Sequence, residues 1–134
     1  MISTSPKSIL EKMHLKPGQA MAIVNAPAGY ESLLVPLPHG CHIERRMDPR
    51  ASVVQVFVHN MAELEGHLSE IKGQLGANSA LWVSYPKGTS GIETDLNRDI
   101  IWKYARTIGM DAVSNFSVDE VWSALRLKVV PGSR

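Results

Sequence analysis

The chain carries almost no surplus charge of either sign. Its 14 Lys and Arg stand against 13 Asp and Glu, a formal net charge of +1. That balance builds no strong field, so neither nucleic acid nor an anionic membrane is an expected partner. There is one cysteine, Cys41, which excludes an internal disulfide and suits a reducing cytoplasm. No apolar run approaches the roughly 20 residues of a membrane helix. The opening MISTSPKSILEKMHLKP also lacks the apolar core of a signal peptide. The three spaced glycines of the dinucleotide fingerprint are missing, and so is the P-loop. No G-x-S-x-G elbow is present, which leaves a hydrolase triad of the common α/β type unsupported. His39, Cys41 and His42 cluster within four residues, but no second ligand pair has suitable spacing, so no metal is expected. Cys41 as a nucleophile has no base or oxyanion site that the sequence identifies.

What is present is a chain of 134 residues, 44% apolar and 20% charged, the makeup of one soluble globular domain. The domain is expected to span residues 1–134, with flexible ends at 1–4 and 131–134, in the cytoplasm. Ser5-Pro6 reads as a helix start with Ile9, Leu10 and Met13 on its apolar side. After a turn at 16–19, the apolar run 20–24 predicts a buried central strand. Asn25-Ala26-Pro27-Ala28-Gly29-Tyr30 follows, leading into a short helix over 30–35. A short strand is expected over 41–45 and a strongly apolar one over 53–58. Asn60 with Glu63 three residues on resembles a capping box. Met61, Leu64, Leu68, Ile71 and Leu75 then fall in one stripe at 3.6 residues per turn, and 76–78 should end that helix.

The stretch 80–102, ALWVSYPKGTSGIETDLNRDIIW, organises the rest. It predicts a buried strand over 80–85, a loop rich in glycine and hydroxyls, and a helix capped by Thr94 with Asp95 at the positive end of its dipole. Leu96, Ile100, Ile101, Tyr104, Ala105 and Ile108 share the apolar face of that helix, which Gly109 ends. A strand over 111–116 and a turn at 117–120 lead into 121–129, which alternates. Val121, Ser123, Leu125, Leu127 and Val129 take one face; Trp122, Ala124, Arg126 and Lys128 take the other. Period two with charge on one side suggests an edge or antiparallel strand. Strands alternating with helices and closing on a hairpin argue for a three-layer α/β sandwich, mostly parallel, with an antiparallel C-terminal hairpin.

The segments ALWVSYPKG, TDLNRDIIW and VDEVWSALRLK resemble a small bacterial family of unknown function, over roughly residues 15–128. That family implies no catalytic residues. The order of elements resembles a reduced Rossmann-like fold of the methyltransferase type. This second resemblance implies an S-adenosyl compound or a nucleotide as cofactor, with Glu44 as the candidate acid for ribose hydroxyls.

In such sheets ligands sit beyond the carboxyl ends of the strands. The ligand-binding candidates are therefore Asn25, Gly29, Tyr30, His59, Lys87, Thr89 and Ser90. Asn97, read as a polar residue on an apolar helix face, joins them as either a pocket residue or a loop anchor. Lys87, Thr89 and Ser90 have the chemistry to hold a small anionic ligand; the plain alternative is a solvated loop. Trp102 projects away from the apolar face beside Arg98 and Arg106, which makes these three interface candidates for a homo-oligomer. The alternatives are Trp102 packed under a loop or tail and Arg98 paired with Asp95 or Asp99. Trp82 is expected in the core and Trp122 on a sheet face. Two functions follow. The favoured one is a non-enzymatic domain that self-associates or binds a partner. The other is a binder of a nucleotide or S-adenosyl compound, a degenerate methyltransferase-like protein.

Overall fold

The computed structural model describes residues 9–76 and 79–130. The expected start at Ser5-Pro6, the Ala77-Asn78 helix stop and the ends at 1–4 and 131–134 lie outside them. In chain order the elements are helix α1 (Ile9–Lys12), strand β1 (Ala20–Val24), a 3-10 turn (Tyr30–Leu33), β2 (His42–Glu44), β3 (Val53–Phe57), α2 (Met61–Gln74), β4 (Ala80–Pro86), α3 (Arg98–Thr107), β5 (Met110–Ser117) and β6 (Trp122–Val129). Among the described residues the strands form one six-stranded sheet in the order β2-β1-β3-β4-β6-β5. The pairs β1–β2, β1–β3 and β3–β4 are parallel, and β4–β6 and β5–β6 are antiparallel. This is a mostly parallel Rossmann-like sheet closed by an antiparallel hairpin. The alternating strand, β6, is antiparallel but internal, because β5 folds back outside it.

Period-two alternation divides the core into two clusters. Val54, Val56, Leu81, Val83, Leu125 and Leu127 face α2 and α3, meeting Leu64, Leu68 and Ile71 of the first and Ile101 and Ala105 of the second. Met21, Ile23, Val53, Phe57, Trp82 and Trp122 face the other way, against Leu10 and Met13 of the α1 region and Tyr30 and Leu34. Trp82 is thus core and Trp122 a buried sheet-face residue, 5% exposed.

Local chemistry explains most boundaries. Asn60 caps α2: its side chain accepts from the Glu63 N–H at 2.9 Å. The reciprocal half of the capping box is displaced by one residue, because Glu63 Oε1 accepts from the backbone N–H of His59, not of Asn60, at 2.8 Å. Gly76 does not end α2 through a left-handed turn. Leu75 is already extended, and a Cβ on Gly76 would stand 2.7 Å from the Pro49 carbonyl oxygen, so the glycine serves a close approach.

The start of α3 corrects the expectation at Thr94 and Asp95. The cap is Asn97, extended at φ −152°, whose Oδ1 accepts from the Ile100 N–H at 2.9 Å. Thr94 and Asp95 serve other elements. The Thr94 hydroxyl donates to the His59 carbonyl at 2.6 Å, and Asp95 Oδ1 accepts from the Met61 N–H at 2.8 Å, at the start of α2. A partner brought by the fold outcompetes the local helix start. Asn97 accordingly sits exposed at the helix end, not on an apolar face.

Candidate functional site

Strands β1 to β4 run in one direction, so residues 25–30, 45, 59–60 and 87–90 leave the sheet at one edge. The sheet order reverses there. The chain leaves β1 for β2 on one side, then returns to place β3 on the other side of β1. A crevice at such a reversal is where open α/β sheets take ligands.

A cavity of about 460 Å³ opens at the end of β1, lined by residues 25–32 with Ile23 and Arg45. Two left-handed residues shape its loop, Asn25 at φ 62° and Gly29 at φ 81°. Asn is among the few side chains that tolerate this conformation, and glycine adopts it at little cost. The Asn25 amide reaches across the crevice, donating to the Phe57 carbonyl at 2.8 Å and lying 3.4 Å from Glu63 Oε1. Arg45 closes the far wall with two bonds to Glu31, at 2.7 and 2.8 Å.

Glu63 is the hub between β1 and β3. Its Oε1 also lies 2.9 Å from His59 Nδ1. Burial opposes the Glu63 charge. The hydrogen bonds from the His59 ring and N–H outweigh it and, with His67 near, hold the carboxyl below the usual range. In the tautomer that donates from Nδ1, His59 turns Nε2 into its proton acceptor. The His59 ring meets Trp122 edge-on at 5.2 Å, Trp122 meets Phe57 at 5.0 Å, and Phe57 meets Tyr30 at 4.6 Å. The Tyr30 hydroxyl donates to Gln55 at 2.8 Å, and Gln55 donates to Ser84 at 2.8 Å, in the buried core. Burial pushes the Tyr30 phenol above its ordinary range, against the pull of that Gln55 bond. Tyr30 therefore supports the loop from beneath and presents no hydroxyl to the cavity.

Of the sequence candidates, Asn25, Gly29 and Tyr30 belong to this cavity, and Asn25 joins His59 through Glu63. Lys87 leaves the same edge. Its backbone N–H donates to the Val121 carbonyl, next to Trp122, at 2.7 Å, and its ammonium donates to the Ser117 hydroxyl at 2.5 Å. Ser90 is spent on its own turn, accepting from the Ile92 N–H at 3.1 Å, and Thr89 is exposed beside it. Asn97 lies apart from the cavity, as the cap of α3. Glu63, Arg45, Glu31 and Gln55 are the contributors that the residue patterns did not single out. The signal for Glu63 was its capping-box spacing, read as helix chemistry only. Glu44 ends β2, half-buried, with a carboxylate oxygen 3.4 Å from His42 Nε2.

The interface candidates sit elsewhere, where α3 meets β5. Trp102 is 37% exposed, and its indole N–H donates to Asp111 at 2.6 Å, holding that carboxyl below its ordinary range. The Arg106 guanidinium stacks 5.6 Å from the Trp102 ring. Arg98 lies 3.8 Å from Asp99. Trp102 is thus an exposed side chain fixed to β5 by its indole N–H.

No family model matches the chain and no curated protein matches it by sequence, so the small bacterial family of unknown function remains a resemblance. Solved structures match its fold. A B. subtilis tRNA methyltransferase superposes over 90% of this chain and 64% of its own, at 14% identity and a TM-score of 0.57. A SAM-dependent methyltransferase from Aquifex aeolicus matches over 91% and 88%, at 11% identity and 0.60. A ribosomal-protein methylase from Lactobacillus delbrueckii matches over 90% and 74%, at 10% and 0.57. The chain spans just under two thirds of the first of these. At such identities the likeness establishes the Rossmann-like, methyltransferase-type fold.

Proposed function

We propose that this chain binds an S-adenosyl compound in the cavity at the carboxyl end of β1, between the β1 loop and Arg45. The observation that carries the reading is the reversal of strand order at β1, with a cavity at the end of that strand. Its volume of about 460 Å³ falls within the roughly 300–1,000 Å³ usual for small-molecule sites. Glu44 at the end of the neighbouring strand offers a carboxylate to ribose hydroxyls, the role an acid takes in dinucleotide sites. The loop residues Asn25 and Gly29 and the side chain of Arg45 would hold the remainder.

Electrostatics favour this class over a phosphate. Glu63 stays ionised beside Asn25, and Arg45 is neutralised by Glu31. A positive sulfonium or ammonium is better matched to that surrounding than a free anion. The fold shared with SAM-dependent methyltransferases supports the same choice. When bound, S-adenosylmethionine would supply an electrophilic methyl group. His59, its Nδ1 held by Glu63, would supply a proton acceptor at the rim.

Titration calorimetry and thermal melting with S-adenosylmethionine and S-adenosylhomocysteine, beside ATP and NAD, test the reading. Binding should stabilise the chain by about 2.7 kcal/mol at a hundredfold excess over Kd. Glu44→Gln should weaken binding about tenfold, a loss of ~1.4 kcal/mol. The absence of heat and of a melting shift with either S-adenosyl compound at millimolar concentration rejects it. A response to ATP alone would move the preference to nucleotides.

A further inference from the structure

We infer that the outer edge of β5, with the Trp102 side of α3 beside it, is the docking surface for a second copy of this chain. The two sheet edges differ. β2 ends the sheet with three residues, whereas β5 ends it with eight and pairs only inward, to β6. An edge strand presents a row of N–H and C=O groups to any strand that can lie alongside. Natural edges are guarded by lysine, proline or bulges. β5, MDAVSNFS, has no lysine and no proline. Its one bulge falls at Val113, and the pairs from Ser114 to Ser117 run in regular register beyond it.

The apolar surface is concentrated on the same side. Among the described residues seven large hydrophobics are exposed, and four of them, Trp102, Val113, Val129 and Val130, border β5 and α3. Val113 is 51% exposed at the bulge. The bond to Asp111 and the stacked Arg106 fix the Trp102 ring before any partner arrives, which lowers the ordering cost of docking. A groove of about 640 Å³ runs between α3 and β5, lined by Arg98, Asp99, Trp102, Asp111, Val113 and Ser114, among others. It contains both signs of charge.

That mixture selects the partner. In a two-fold interface, where residue i of one copy meets j of the other, j also meets i, so off the axis unlike residues face each other. A surface carrying Arg98 together with Asp99 and Asp111 can therefore satisfy itself, with the guanidinium of one copy facing the carboxylates of the next. Antiparallel pairing of two β5 strands would join both sheets into one, the mode called β-augmentation.

Sedimentation velocity over a concentration series into the sub-millimolar range tests this, with two variants on exposed valines. Val113→Lys places a charge in the seam. Val35→Lys is the control: it is 66% exposed, in the connection between β1 and β2 at the opposite end of the sheet. The expected result is a dimer for the parent chain and for Val35→Lys, and a monomer for Val113→Lys. A parent chain that stays monomeric throughout overturns the inference. So does a Val113→Lys protein that remains dimeric. Circular dichroism confirms that both variants are folded, which neither surface change should disturb.

Discussion

The face of the sheet under α2 and α3 is closed by two helices of 14 and 10 residues and a core that is mostly aliphatic. Among the described residues the opposite face has a four-residue helix, a 3-10 turn and connecting loops, yet its core residues are just as buried. Large rings do much of the covering there. Tyr30, Phe57, Trp82 and Trp122 fill the space, and Trp82 meets Phe116 edge-on at 5.1 Å. A helix covers a sheet with many small contributions; a ring covers it with one large one. The price is dependence on single residues. The second face also reaches the rim, because the stack Tyr30–Phe57–Trp122–His59 runs from beneath the β1 loop to the end of β3. The candidate site therefore rests on the aromatic face, while α2 gives it only Glu63 and a capped terminus.

The largest expected effect breaks the comparison at its centre. Phe57→Ala removes the ring that both Tyr30 and Trp122 touch and should cost ~3–5 kcal/mol in urea unfolding. Leu68→Ala, under α2, should cost less, at the lower part of about 2–5 kcal/mol, because a helix can settle into the gap. If Leu68→Ala proves the more damaging of the two, the idea that rings carry the thin face fails.

The next effect concerns the polar chain buried within that face. Gln55→Leu leaves the Tyr30 hydroxyl without its acceptor and Ser84 without its donor, both buried. The expected loss is ~1–3 kcal/mol for each group so stranded. The triple variant Tyr30→Phe, Gln55→Leu, Ser84→Ala removes all three polar groups and should recover much of it. A triple variant no more stable than Gln55→Leu would mean that shape, not hydrogen bonding, holds the chain together.

The helical face was the more legible of the two in the sequence. The α2 stripe and the Asn60 cap are short-range signals, decided within a turn of helix. The same holds for the strands, whose apolar runs are continuous because both faces are covered. The start of α3 was misread because Thr94 and Asn97 are both good caps, and the choice was made by His59 and Met61, more than 30 residues earlier. Asn25 was legible as a loop residue at the right edge. Its left-handed backbone and its reach to Phe57 and Glu63 were not, since they depend on β1 and β3 being neighbours. The thin second layer was visible only as an absence, in that no long helical pattern separates β1 from β3.

A smaller effect sharpens what α2 contributes. Asn60→Ala removes the acceptor for the Glu63 N–H and should destabilise the chain by about 1 kcal/mol. Asn60→Asp should keep the cap, because the aspartate oxygen accepts the same bond. A loss with Asp as large as with Ala would show that the amide of Asn60, and not its oxygen, is what matters.

The smallest effect is the dependence on pH that Glu63 imposes, and it joins the two faces. Its carboxyl is depressed in the folded chain, so the unfolded chain takes up its proton at higher pH than the folded one. The stabilisation from Glu63 is therefore complete above the ordinary carboxylate value of 4.5 and is lost as pH falls through the depressed one. The side chain is 36% exposed, so solvent screening keeps the contribution modest. Glu63→Gln should be less stable than the parent at neutral pH and should converge on it in acid. Stability curves for the parent and Glu63→Gln that stay parallel through the acid range would mean that the 2.9 Å contact with His59 carries no charge coupling, and the proton acceptor proposed at the rim would lose its support from α2.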